Sequence, residues 1–221
     1  MSNSPASRAE QRTRTIAAYQ ADAGSYSAAT SSMSRSMSPA TAAAIDGFVE
    51  RCGAGARILE IGSGPGHDAL ALEARGLLVD RTDITPAFVD LLRERGKTAK
   101  VLDPLIDDLA GPYDGVWASA VLLHLSRFEA PVVLYRLAQA TVPGGWLATS
   151  VKVGDGDDWL IRGSIAGARH FTFWQRESWC AAQEAAGWSV VESGENPGRL
   201  GDTWLRTLAR RPFATATGDA R

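Results

Sequence analysis

The chain has 221 residues, 45% hydrophobic and 22% charged, the balance of one compact domain with a single sizeable core. A formal net charge of −2 and a pI near 5.9 disfavour a nucleic-acid partner, whose basic footprint normally lifts the pI well above neutrality. Cys52 and Cys180 are too far apart in sequence to suggest a metal site or a disulfide framework, and no apolar run is long enough to cross a bilayer or form a signal core, so a cytoplasmic protein without a membrane partner is expected.

Met1 to Ala9 is polar and Ser-rich and reads as disordered. Arg12 to Tyr26 predicts a short helix with a thin apolar face, and Ser27 to Ser38 a loop or mobile segment. Residues 1–38 are therefore set apart as an N-terminal arm. Ser38-Pro39 then has the form of an N-cap and first helical residue, and Ile45, Phe48, Val49 and Cys52 follow at helical spacing until Gly53 and Gly55.

From there strand and helix alternate. Arg57 to Ile61 predicts a strand, Asp68 to Arg75 a helix closed by Gly76, and Leu77 to Asp83 a second strand. Thr85-Pro86 opens a helix carrying Phe88, Leu91 and Leu92 on one face, stopped by Gly96. Thr98 to Leu102 and Gly115 to Ser119 follow as strands, Glu129 to Ala140 as a helix, and Pro143-Gly144-Gly145 as a turn into a fifth strand, Trp146 to Lys152. Arg176 to Ala186 reads as a helix, and Trp188 to Glu192 and Trp204 to Arg210 as strands. Their link, Ser193 to Thr203, is too short for a crossover helix, so they pair antiparallel. The expected fold is α/β: a Rossmann-like, doubly wound, seven-stranded sheet, mostly parallel with an antiparallel C-terminal strand. It occupies residues 39–212, with 213–221 a disordered tail.

The segment that carries chemistry is Glu60-Ile61-Gly62-Ser63-Gly64-Pro65-Gly66, at the end of the first strand and before a helix. Glycines there let the backbone turn sharply and let a ligand approach main-chain atoms, with the amides of the following helix pointing towards it. A dinucleotide fingerprint wants its third glycine where this chain has His67. About twenty residues on, Asp83 closes the second strand, where a carboxylate can accept from both hydroxyls of a ribose. Its alternative is a capping Asp before Thr85-Pro86, and Asp80 is a rival by charge. Asp103 follows the third strand, with a turn Asp before Pro104 as its plainer reading; Asp107 and Asp108 read as solvated.

The spacing Gly62-x-Gly64-x-Gly66 behind Glu60 resembles the glycine-rich motif of class I S-adenosylmethionine-dependent methyltransferases. Tyr113 to Ser119 is similar to the fourth strand of that family, and Val142-Pro143-Gly144-Gly145 to its turn into the fifth. The resemblance implies S-adenosylmethionine as cofactor, held by Glu60, Gly62, Ser63, Gly64, Gly66, Asp83, Ile84, Leu102, Asp103 and Ser119. Leu102 would lie beside the adenine and Asp103 would accept from its amino group. It also suggests a lid role for the arm, with Tyr19, Tyr26, Met33 and Met37 as candidates.

Methyl transfer from a sulfonium needs in-line positioning and exclusion of water more than a fixed catalytic group. His124, just past the fourth strand, is the candidate base, against a packing or hydrogen-bonding histidine. In Arg169-His170-Phe171-Thr172-Phe173-Trp174 the aromatics either wall an acceptor pocket or alternate as a half-buried strand. Gly154 to Asp158 lacks the spacing of a calcium loop and reads as a solvated turn, and no metal site is expected. Ser119-Ala120-Val121-Leu122 departs from the Asn-Pro-Pro-Tyr of amide and base N-methylating enzymes. A small-molecule acceptor methylated on oxygen or nitrogen is the leading expectation. A tRNA or protein acceptor, a nicotinamide-dependent oxidoreductase and a non-catalytic relative are the alternatives.

Overall fold

The computed structural model describes residues 4–34 and 38–213. The central strands of its sheet are buried on both faces, as parallel strands between helical layers must be, and the edge strands are more exposed. β1 (Arg57–Ile61) pairs with β2 (Leu78–Asp83) and β4 (Tyr113–Ser119), β2 with β3 (Ala99–Val101), and β4 with β5 (Thr141–Lys152), all parallel. β9 (Thr203–Arg210) pairs antiparallel with both β5 and β8 (Ser189–Pro197). The strand order is β3-β2-β1-β4-β5-β9-β8, so β9 is the strand that runs against the rest.

Helices α2 (Pro39–Cys52), α3 (His67–Glu73) and α4 (Pro86–Glu94) fill the first half of the chain, and α5 (Glu129–Ala140) and α6 (Arg176–Ala185) the second. One core forms where Val116, Ala118 and Leu147 meet Leu134 and Leu137. The other forms where Ile58, Trp117 and Leu208 meet Ile45 and Phe48. Strand order reverses between β1 and β4, and a ligand crevice opens at such a point, at the carboxyl ends.

Several expectations are corrected. α1 runs unbroken over Pro5–Ser34, where the sequence predicted disorder to Ala9, a helix over Arg12 to Tyr26 and a loop from Ser27. Ser4 caps it, accepting from the Ser7 amide at 3.2 Å ahead of a proline at the first helical position. Further on, the hydroxyls of Thr30 and Ser31 bond back to the Tyr26 and Ser27 carbonyls, which keeps a polar segment helical. The face it buries is Thr15, Ala18, Ala23 and Ser27, small or polar residues that a search for aliphatic periodicity passes over. The side chain of Met33, all of Met37 and the tail from 214 lie outside the described residues.

The Ser193–Thr203 link is shorter than predicted, since β8 continues to Pro197; an edge strand tolerates the missing amide of proline. Pro143-Gly144-Gly145 is an irregularity within β5 rather than a turn before it, with the register shifting between Tyr113↔Thr141 and Gly115↔Trp146. Gly144 is held there by its amide on the Arg211 carbonyl. A hairpin that the sequence did not predict as a unit, β6 (Asp157–Leu160) with β7 (Arg169–Thr172), follows β5.

Candidate functional site

The β1–α3 loop is stitched to β2 before any ligand is considered. The Ser63 amide donates to the Thr82 carbonyl at 2.8 Å, and the Thr82 amide to the Ser63 hydroxyl at 3.1 Å. Gly62, Gly64 and Gly66 all have positive φ, the left-handed region that favours glycine. The Gly64 amide donates to one carboxylate oxygen of Asp83 and the Thr85 amide to the other, each at 2.8 Å. Burial raises the pKa of Asp83, and the Thr85 and Gly64 amides offset part of that rise.

Above this loop is a cavity of about 350 Å³. Glu60, Gly62, Ser63, Gly64 and Asp83 line one side of it, and Ile84, Leu102, Asp103 and Ser119 continue the wall. Gly66 does not line it. It sits at the N-cap of α3, where an added Cβ would lie 2.6 Å from Leu92 Cδ2, so its role is to let the loop pack on α4. Asp80 pairs with Arg57 on an exposed edge, away from the cavity. Asp103 makes the turn that was its plainer reading, with Oδ1 accepting from the Leu105 amide at 2.9 Å. Asp107 and Asp108 are likewise engaged, accepting from the Asp103 and Ala110 amides.

Glu60 is buried and its Oε2 has no hydrogen-bond partner. Burial pushes its pKa up to about 8, which Ser63 beside it only partly offsets.

The roof is α1. Arg12 reaches Asp103 at 3.6 Å and Glu129 at 3.5 Å. Gln20 accepts from the Ala87 amide at the start of α4, Ser27 accepts from Arg95, and Thr30 meets His67 at 3.2 Å. Tyr19 and Tyr26 line the cavity and pack edge-on against each other; Phe88 meets Tyr26 edge-on and Tyr19 at a tilt. Sequence reasoning pointed to these two tyrosines but missed Arg12, Thr30, Asp68 and Trp117. No local pattern marks Arg12 or Thr30. Asp68 and Trp117 read as helix and strand, yet the Trp117 Nε1–H donates to Asp68 at 2.9 Å in the cavity wall.

His124 lines the cavity, but both its ring nitrogens are engaged. Nδ1 lies 2.7 Å from the His170 carbonyl. A carbonyl only accepts, so Nδ1 carries the proton, and Nε2 accepts from the Tyr19 hydroxyl at 3.0 Å. Arg169 donates to the same hydroxyl at 3.0 Å. In this geometry His124 anchors Tyr19, the hydrogen-bonding role that stood as the alternative to a base. His170 lies in β7, a strand buried along its whole length where the alternation suggested a half-buried one, and turns its imidazole to Asp157 at 3.0 Å; none of residues 169–174 lines this cavity.

Burial pushes the His124 pKa down to about 4, from an ordinary 6.5. The unfolded chain therefore binds more protons between those two values, and stability falls as pH drops through that window. His124→Gln should flatten this acid slope in urea titrations at pH values on either side of the window. A slope equal to that of the parent would show that His124 is not held neutral.

A family model described as a methyltransferase domain matches residues 33–193. No curated protein matches the chain in sequence. Among solved structures, a 1,6-didemethyltoxoflavin-N1-methyltransferase from Burkholderia thailandensis, with 1,6-didemethyltoxoflavin and S-adenosylhomocysteine bound, is 19% identical. It has a TM-score of 0.71 over 96% of this chain and 92% of that one. The N-methyltransferase NodS from Bradyrhizobium japonicum, in complex with S-adenosylhomocysteine, is 17% identical with a TM-score of 0.61, over 80% of this chain and 90% of that one. The [4+2]-cyclase SpnF is 20% identical with a TM-score of 0.59, over 78% and 81%. These three likenesses are of fold.

Proposed function

The chain belongs to the methyltransferase-domain family, and from that premise we propose that it transfers a methyl group from S-adenosylmethionine to an oxygen or nitrogen of a small molecule. The observation that carries this reading is one cavity in which Glu60, the glycine loop and Asp83 meet under α1.

The residues fit the cofactor. Glu60 Oε2 is a buried oxygen with no partner, an acceptor waiting for a cationic or N–H group. Gly64 leaves open space where a Cβ would stand, so a ligand can reach its backbone. Asp83 keeps lone pairs beyond those used by the Gly64 and Thr85 amides, enough for a pair of ribose hydroxyls. Leu102 offers an apolar face and Asp103 a carboxylate for the base. When bound, S-adenosylmethionine supplies the electrophilic methyl on its sulfonium. The chain's part is to orient the donor, hold its charge against Glu60 and keep water out beneath Tyr19 and Tyr26.

The roof of α1 supports a small acceptor over a tRNA or protein chain. In this reading residues 1–38 act as a lid, the 39–212 domain carries both substrates, and the protein works in the cytoplasm, where its cysteines stay free. Among the described residues no helix is long and apolar enough to cross a membrane.

The test is thermal stabilisation by S-adenosylhomocysteine against NADH, followed by mass spectrometry of a cell extract incubated with labelled S-adenosylmethionine. Stabilisation by NADH alone would reject the reading. A second expectation follows from Glu60, whose carboxyl is mostly protonated at pH 7 because burial holds its pKa near 8. A cationic amino group placed beside it favours the ionised form, so binding of S-adenosylhomocysteine should release a proton and tighten as pH rises from 6 towards 8. Calorimetry in buffers of different ionisation enthalpy reads this directly. Glu60→Gln should abolish the release.

A further inference from the structure

A second cavity of about 300 Å³ lies beside the first, between α2 and the β4, β5, β9 and β8 strands. Its shape follows from strand register. Ser119 of β4 lies opposite Ser150 of β5, Ser150 opposite Arg206 of β9, and Arg206 opposite Gly194 of β8. Opposed residues project from the same face of a sheet, so these four form a row across it. One step along the same face of the sheet, Trp117, Ala148 and Leu208 form a parallel apolar row. The facing turns of α2 present Ala40, Ala43, Ala44 and Gly47. The small side chains of α2 and of Ser119, Ser150 and Gly194 leave space between helix and sheet, and Arg206 brings a charge into it.

That charge lacks a counterion. Arg206 Nη2 donates to the Thr41 hydroxyl at 2.9 Å, its Nε is buried with no hydrogen-bond partner, and no ion pair reaches it among the described residues. Burial lowers its pKa, against which Asp68 acts only at a distance. A guanidinium so placed is costly by itself and favourable with an oxyanion, whose geometry matches its planar set of donors. The chamber also adjoins the donor cavity. Trp117 and Ser119 line both, and Thr41, Arg206's partner, lines the first.

We propose that this chamber holds the methyl acceptor and that Arg206 selects acceptors carrying an anionic oxygen. The assignment rests on the methyl-transfer reading of the neighbouring cavity. Ser119 and Ser150, joined at 3.2 Å, place two hydroxyls between the anion and the donor, where they can position the acceptor's polar edge.

Benzoate is the probe, with neutral benzamide as its control, each titrated by calorimetry into the full chain saturated with S-adenosylhomocysteine. The parent should bind benzoate in the millimolar range and prefer it to benzamide. Arg206→Gln should weaken benzoate tenfold or more and erase that preference, while Arg206→Lys restores part of it. Gly194→Leu, at a position with no atom within 4 Å of an added Cβ, should fill the chamber and block benzoate with the fold intact. S-adenosylhomocysteine affinity should stay within about twofold in all three, well under the tenfold that a lost charged contact costs. Benzoate binding that is absent in the parent, or unchanged in Arg206→Gln, would overturn the proposal. So would loss of S-adenosylhomocysteine binding in Arg206→Gln, which would give the guanidinium to the donor's carboxylate. If the parent fails to bind S-adenosylhomocysteine, the donor reading itself falls, and benzoate titrated alone still reports on the chamber.

Discussion

Asp83→Ala should lower S-adenosylhomocysteine affinity by a hundredfold or more and destabilise the fold by about 3 kcal/mol. Two losses combine. Both carboxylate oxygens hold backbone amides, of Gly64 in the glycine loop and Thr85 at the start of α4. Without them, two donors next to a buried position lose charge-assisted partners, each worth about 1.5–3 kcal/mol before relaxation. The loop that shapes the cavity and the helix that walls it then lose their common pin. The ribose loses its acceptor as well. Asp83→Asn keeps one acceptor oxygen and should fall between parent and alanine variant in both urea denaturation and calorimetry. An Asp83→Ala protein that binds within threefold of the parent would sink the ribose assignment.

The three glycines of the loop should behave unequally. Gly62→Ala meets two penalties, a φ of +71° and an added Cβ 2.5 Å from Val121 Cγ2 and 2.8 Å from its Cβ. Left-handed backbone costs an alanine about 1–2 kcal/mol, and overpacking against a stiff β-branched side chain about 1–3 more. A loss near 3 kcal/mol is expected by urea denaturation. Gly66→Ala meets Leu92 through the far end of a flexible side chain and should cost less. Gly64→Ala has only the backbone penalty, since nothing stands within 4 Å of its Cβ. Its methyl would project into open space by the cavity, so it should lose donor binding out of proportion to stability. A Gly62→Ala variant as stable as the parent would contradict this order.

The contrast between these glycines shows what the sequence carried and what it could not. The strand-loop-helix pattern around Glu60 to Gly66 is local, and so are the strand ends at Asp83 and Ser119; each is written in adjacent residues and reads directly. Nine of the ten predicted binding residues line the cavity, and the exception is instructive. Gly66 looks like its neighbours, but its constraint comes from Leu92, twenty-six residues away on α4. His124 was legible as a residue near the right strand end. The engagement of both its nitrogens depends on Tyr19 and His170, which only the fold brings together. α1 was half missed because it docks through hydroxyls, amides and tyrosines instead of aliphatic side chains. Arg206 gave no sequence signal at all, since its surroundings are set by register across four strands.

The N-terminal helix α1 is the longest helix among the described residues. Thirty helical residues make a rod of about 45 Å, long enough to reach from one side of the cavity to the other. Its attachments run from Arg12 on Asp103 through Tyr19 on His124 to Thr30 on His67. The rod thus links opposite ends of the cavity as a beam links its supports. Serving as the proposed lid, it would hold or release the Asp103 and His67 ends together, so that donor entry and product escape would share one movement.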